Sequence, residues 1–313
     1  MVALAVVLAL LAALSNASAS VLQRRAAART EGDGPEQHAG AARRAAHGLG
    51  RMLRRPDWLG GLGLLMLSSV LQGWALAVGG LSLVQPLLAA ELLFTLLVGS
   101  AVFRRRPDRR TWLAFAALAA GLALFLVSAA PSQGRSAARP GSWLLGGGAA
   151  ACAVVLLVLL ARPARGPARA ALLGLAAAVS FATTAALLKQ AVGRLAQGPG
   201  ALFTYWSTYA TAGAGLIAFL LLQGAFRAGS LAASQPALTL GDALTSVALG
   251  WALFAESIQL GVRIVPEVAG VALIGAGSIG LAHAVTVGED WDTPPDRPPP
   301  SRAGTRLPLH PGS

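Results

Sequence analysis

The 313-residue chain is 55% apolar and only 12% charged, with a mean hydropathy of +0.62. Soluble domains carry about 25% charged residues; too few polar side chains remain here to coat a water-facing surface, so lipid is the solvent for much of the molecule. The 25 Lys+Arg outnumber the 13 Asp+Glu, but the arginines cluster between apolar stretches, which marks membrane topology and excludes nucleic acid as the partner. The one cysteine, Cys152, permits no intrachain disulfide and no cysteine-based metal site.

A helix rises about 1.5 Å per residue, so roughly 20 apolar residues cross a bilayer core. Nine runs meet this need: Val2–Leu22, Trp58–Val78, Leu81–Phe103, Trp112–Ala130, Trp143–Ala161, Ala168–Leu188, Leu202–Gln223, Leu231–Ala255 and Val265–Val287. Leu and Ala dominate them and strand-type alternation is absent, so the expected class is an all-α integral membrane protein. Trp58, Trp112 and Trp143 open spans, at the headgroup depth that indole rings favour. Ala17-Ser18-Ala19 has the look of a cleavage site. No positive charge precedes the first run, however, and Arg24 and Arg25 follow it, the reverse of a secretory signal; an uncleaved first span is expected.

Counting Arg169 with the connection it borders, 20 Lys and Arg lie in connections after odd-numbered spans and 5 after even-numbered ones. The positive-inside rule then places the amino terminus outside and the carboxyl terminus in the cytoplasm of a multi-pass cell-membrane protein. The connection 24–56 holds eight arginines and a helix-compatible stretch, Ala39–Arg55, that reads either as a solvated loop or as an amphipathic segment on anionic lipid. The tail 288–313, with seven prolines, lacks the apolar content to bury a core and reads as disordered.

The chain matches itself. Gly79, Leu81, Gln85, Pro86 and Leu88 recur 150 residues later as Gly229, Leu231, Gln235, Pro236 and Leu238. Leu71-Gln72-Gly73 recurs 151 residues on as Leu222-Gln223-Gly224, and Ser15–Ala26 weakly resembles Ser180–Ala191. Spans one to three therefore match spans six to eight. A shift of five spans is odd, so the copies cross the membrane in opposite senses, giving repeats 1–161 and 162–287 of five and four helices. Pro86 and Pro236 each remove a helix hydrogen bond near the start of a span and are expected bend points.

Two carboxylates lie deep inside spans, Glu91 and Asp242, at near-equivalent places in the two halves. An ionised acid there costs roughly 2.5–3.5 kcal/mol, so each is expected to be protonated, paired or facing a wet cavity. They are the leading candidates for binding a proton, a cation or a cationic substrate; packing acids would be the plain alternative. Gln72, Gln85, Gln235 and Asn16 are secondary candidates for the same cavity. Glu256, Arg263 and Glu267 fall at the outer mouth and read as solvated, Lys189 as a snorkelling span end, and His283 as a lone histidine without metal partners. No cofactor, metal centre or catalytic grouping is expected. Gly275-Ala276-Gly277-Ser278-Ile279-Gly280 has the spacing of a dinucleotide loop but lies within an apolar span, so Ala272, Ala276 and Gly280 read instead as a small-residue packing face.

The residues Ser20-Val21-Leu22-Gln23-Arg24-Arg25 closing span one, Trp58 opening span two, and Ala77–Leu88 (AVGGLSLVQPLL) opening span three carry a resemblance. Over roughly residues 1–287 the chain resembles the drug/metabolite transporter superfamily, with its EamA-like inverted repeats, and within it the nine-span, magnesium-transporter-like (NIPA-type) branch. The resemblance implies alternating-access movement of a small metabolite, drug-like molecule or cation, with the bilayer and that substrate as partners and a homodimer left open. A divalent-cation version fits less well, because the acid that branch places in span two is Gln72 here and carboxylates are scarce. A non-transporting scaffold working through its basic loop is the remaining alternative, and an embedded enzyme has no supporting residue set.

Overall fold

The computed structural model describes residues 1–31, 56–103, 107–129, 134–139, 141–198, 200–228, 231–256 and 264–287. Most of the basic connection (32–55), the tail 288–313, Gly229 and Arg263 lie outside these residues, as do the side chains of Glu267 and His283. All regular structure among the described residues is helical. In hydrocarbon this follows from the backbone, since a helix satisfies its own N–H and C=O groups where no water can.

The helices are α1 (Val2–Glu31), α2 (Pro56–Val78), α3 (Leu81–Leu88), α4 (Ala90–Phe103), α5 (Arg109–Ala129), α6 (Ser142–Ala161), α7 (Gly166–Val192), the short α8 (Ala201–Thr204), α9 (Trp206–Ala228), α10 (Leu231–Phe254) and α11 (Ile264–Val287). Eight segments are long and apolar enough to cross a membrane, with α3 and α4 counting as one, Leu81–Val102. In addition α11, a 24-residue helix, contains the shorter apolar stretch Val268–Ala282. The protein is thus a polytopic, all-helical membrane protein.

The third apolar run is two helices rather than one. A turn at Ala89, three residues beyond Pro86, separates α3 from α4. Ala89 donates its N–H to Pro86 O at 3.1 Å, a tightened final turn of the kind that ends a helix. By contrast α10 runs through Pro236 unbroken.

Packing follows a regular scheme. Helix α1 lies against α2 and α4, α7 lies against α9 and α10, and the pairs α3–α10 and α5–α11 join the earlier helices to the later ones. One core, built from Ala5, Ala9, Leu76, Leu81, Val84, Ala182, Ala186, Leu249, Leu253 and Phe254, gathers α1, α2, α3, α7 and α10. A second gathers Ala90 and Leu93 of α4, Leu118 and Phe125 of α5, and Ile274 and Leu281 of α11.

Small residues set the closest approach. A methyl group added at Gly277 would stand 2.5 Å from the backbone nitrogen of Leu118, and one at Gly121 2.7 Å from that of Ile274. The G-x-G-x-x-G segment therefore serves helix contact, as the sequence indicates, but the face is rotated from the expected one. Ala272 and Ala276 are exposed, and the surface against α5 runs through Gly270, Gly277 and Gly280. Because α11 meets α5 backbone to backbone, the stripe is set by the glycines that permit it, not by alanine spacing.

Candidate functional site

The break at Ala89 gives the third span two helix starts, and a carboxylate lies at each. Glu91 occupies the first turn of α4, where unbonded N–H groups and the helix dipole favour negative charge. Its side chain also takes a hydrogen bond from Asn16 of α1. The structure thus brings together two residues singled out from the sequence, on neighbouring helices.

Asp242 is placed differently. It lies near the middle of α10, about 17 Å from either end at the helical rise, with no break to supply free N–H groups. Its Oδ1 is buried and has no hydrogen-bond partner among the described residues, and the same is true of Ser246 Oγ, one turn further along the same face. Gly241, next to it, faces Leu175 and Ala178 of α7, so this part of α10 is pressed against the neighbouring helix. An unsatisfied buried oxygen costs on the order of 1–3 kcal/mol, more when charged, and two on one helix face are an arrangement that a proton or cation would relieve.

Of the remaining sequence candidates, Gln85 is buried on α3 at 5% exposure, while Gln72 of α2 and Gln235 of α10 are half-buried. Pro86 is fully buried beside Gln85.

The most heavily bonded side-chain group among the described residues was not singled out by the sequence. Glu256, expected at a wet mouth, is 1% exposed, and Lys189, expected to snorkel, is 2% exposed. Lys189 Nζ donates to Glu256 Oε1 at 2.5 Å. The same oxygen accepts the Leu81 N–H at 2.7 Å. The other, Oε2, accepts the Ser82 N–H at 2.9 Å and the Ser82 hydroxyl at 2.6 Å. The carboxylate therefore caps the start of α3, satisfying two of the N–H groups that every helix leaves unpaired. The Lys189 ammonium also stands 4.8 Å from the centroid of the Phe254 ring, within cation–π range.

The chain around Glu256 is folded back to reach this position. Ala255 adopts φ 52°, a left-handed conformation unusual for a residue with a Cβ. The Glu256 N–H then reaches Gly250 O at 3.1 Å. Gly250 has to be glycine, because a methyl group there would collide with the Glu256 carboxylate. Above, residues 134–139 close the cluster. Gly134, at φ 60°, leaves no room for a Cβ beside Glu256 Cγ. Arg135 N–H satisfies Phe254 O at 2.8 Å, and Ala138 N–H donates to Gln190 Oε1 at 2.7 Å.

Burial of Lys189 and Glu256 was illegible because each depends on residues far away in sequence. The lysine and glutamate are 67 residues apart, and the glutamate and Ser82 174. The available signal was a lysine and an acid that each directly follow an apolar run, Ala168–Leu188 and Leu231–Ala255, at span ends assigned to the same side of the membrane.

No family model matches the sequence, and no solved structure matches it. The chain is similar to the uncharacterized protein Cgl0250/cg0304 of Corynebacterium glutamicum, with 30% identity over 259 residues that span 82% of this chain and 86% of the relative. Identity of that extent over most of both sequences makes this chain a member of the same family as the corynebacterial protein.

Proposed function

We propose that the protein is a nine-span transporter of the drug/metabolite type that moves a small metabolite, drug-like molecule or cation by alternating access between two inverted halves. The observation that carries this reading is the pair of unsatisfied buried oxygens at Asp242 and Ser246, near the middle of an apolar helix. A site at the membrane midplane between repeats is where secondary transporters bind their substrates and coupling ions.

The packing scheme supports the inverted repeat. Spans one and two pack as six and seven do, and spans one and three as six and eight. The cross-pairs three–eight and four–nine are those that two copies related by an axis in the membrane plane would make with each other. At about 36 Å by its length, α11 is long enough for the ninth span. A carboxylate beside a hydroxyl suits a proton or an ammonium group better than a divalent ion, which takes roughly six to eight oxygen ligands.

The test uses the full chain purified in detergent, screened by thermal shift against amines, amino acids and monovalent cations, followed by counterflow of each hit in proteoliposomes. A ligand at a hundredfold excess over Kd stabilises by about 2.7 kcal/mol, a shift the assay resolves. Asp242→Asn should abolish both the shift and counterflow, and Glu91→Gln should reduce counterflow. Undiminished counterflow in Asp242→Asn would remove Asp242 from the site, and no counterflow of any stabilising ligand in the parent protein would remove the transport reading.

A further inference from the structure

We propose that Lys189, Glu256 and Ser82 form the outer gate of the transport path, closed in this structure, with Glu256 as the bolt that leaves the start of α3 when the path opens outward. This rests on the transport reading above.

Three observations lead to it. First, the cluster ties the two halves together at one end of the bundle. Ser82 and the Leu81 N–H belong to the start of α3 in the first half, whereas Lys189 and Glu256 lie at the closing ends of α7 and α10 in the second. All of these ends face the side that the arginine distribution assigns to the exterior.

Second, the contact is hinged. Every bond to Glu256 depends on the left-handed turn at Ala255 that folds the acid back beneath residues 134–139. Relaxing that one residue withdraws all four bonds together, and strained backbone of this kind is found at switches and clamps. Below the carboxylate lies an apolar plug of Leu81, Leu249, Leu253 and Phe254, with Ala185 and Ala186, which would part with it.

Third, a buried ion pair is a poor choice for stability alone. Desolvation cancels most of its attraction, and apolar replacements often hold a structure as well. Over an apolar core, a charged contact between helix ends is suited to a joint that separates into water. When it opens, the lysine, the carboxylate and the freed N–H groups all regain hydration, while an apolar seam would lose by the same exposure.

The experiment is independent of substrate. In a Cys152→Ala background, which removes the one native thiol, Leu249→Cys places a reporter in the plug under the ion pair. Intact cells are treated with a membrane-impermeant maleimide, and inside-out vesicles are treated in parallel. The parent reporter should label slowly from outside. Adding Glu256→Gln or Lys189→Met should raise the external rate about tenfold or more, since a charge-assisted contact is then lost from the closed state only. Lys189→Arg should keep the parent rate. The double variant Lys189→Met/Glu256→Gln retains an acceptor for the α3 N–H groups and provides a folded control, monodisperse on size exclusion, that should also label fast.

Unchanged labelling in this folded double variant would overturn the gate and leave only a helix cap. Acceleration seen only from the cytoplasmic face would overturn its placement outside. Faster external labelling without counterflow of any compound would support the gate while sinking the transport reading; counterflow with unchanged labelling would do the reverse.

Discussion

Ala255 holds a conformation that costs an L-residue roughly 1–2 kcal/mol, and glycine would hold it without that penalty. Ala255→Gly should therefore leave the thermal midpoint in detergent level or raised, by up to about 1 kcal/mol in stability; a lowered midpoint would show that the turn is not strained. Its neighbour Glu256 is the opposite case. Glu256→Ala removes the carboxylate from a buried ammonium and two N–H groups, and breaking one side of a buried pair costs about 3–5 kcal/mol. The double variant Lys189→Met/Glu256→Gln should lose clearly less, a non-additivity that a double-mutant cycle in the same assay measures. At this scale the sequence told part of the site. Glu91 and Asp242 stood out because depth within an apolar run is a property of local sequence. The partner of Glu91, Asn16, stood out for the same reason. Lys189 and Glu256 lie at the margins of runs, and whether a marginal charge meets water or another helix is decided only by tertiary packing.

Among the elements, the interrupted third span matters most. A proline at its first turns was visible in the sequence; that the chain would restart as a second helix at Ala90, presenting Glu91 at the new start, was not. The near-identical Gln-Pro in α10 sits in an unbroken helix, so proline alone does not decide the break. The α5–α11 contact makes a separate prediction. Gly277→Val would drive a branched side chain into the backbone of Leu118, forcing apart two helices that meet through glycine. The expected result is a marked fall in monodisperse protein on size exclusion, with Ala276→Val, on the exposed face, behaving as the parent. The start of α5 carries a pH-dependent cap. Asp108 accepts the hydroxyl of Thr111 and, at 2.9 Å, its N–H. These bonds hold its carboxyl below the usual range, chiefly through the Thr111 hydroxyl. A depressed carboxyl stabilises the fold at any pH above its ordinary value and stops doing so as acid carries pH down through the lowered one. Asp108→Ala should thus lower the thermal midpoint at neutral pH, and the gap from the parent should narrow and close as acid carries the pH below the ordinary carboxyl range and through the lowered one. A gap independent of pH would show that the ionised cap is not its source.

For the whole molecule, eight of the nine apolar runs correspond to helical segments long and apolar enough to cross a membrane, and the ninth holds a shorter apolar stretch, because crossing hydrocarbon imposes length and composition directly. How the helices pack depended on which faces carry glycine, and that order emerges only in three dimensions, as the rotated α11 stripe illustrates. Orientation yields a direct prediction. A fluorescent protein fused to Ser313 should fluoresce and alkaline phosphatase fused there should be inactive, while phosphatase inserted after Gly198 should be active; the reverse pattern would invert the topology and move the ion pair to the cytoplasmic face. The start of α3 also constrains how this chain can change over generations. The Leu81 and Ser82 amides have the Glu256 carboxylate as their acceptor and hydrocarbon tolerates no idle amides, so a lineage that keeps this helix start is obliged to keep an acceptor over it. Exchanges at Glu256 should then arrive only in company, with a compensating loss of Lys189 or with a new acceptor for the α3 start, and that coupling should be readable in descendants of the family.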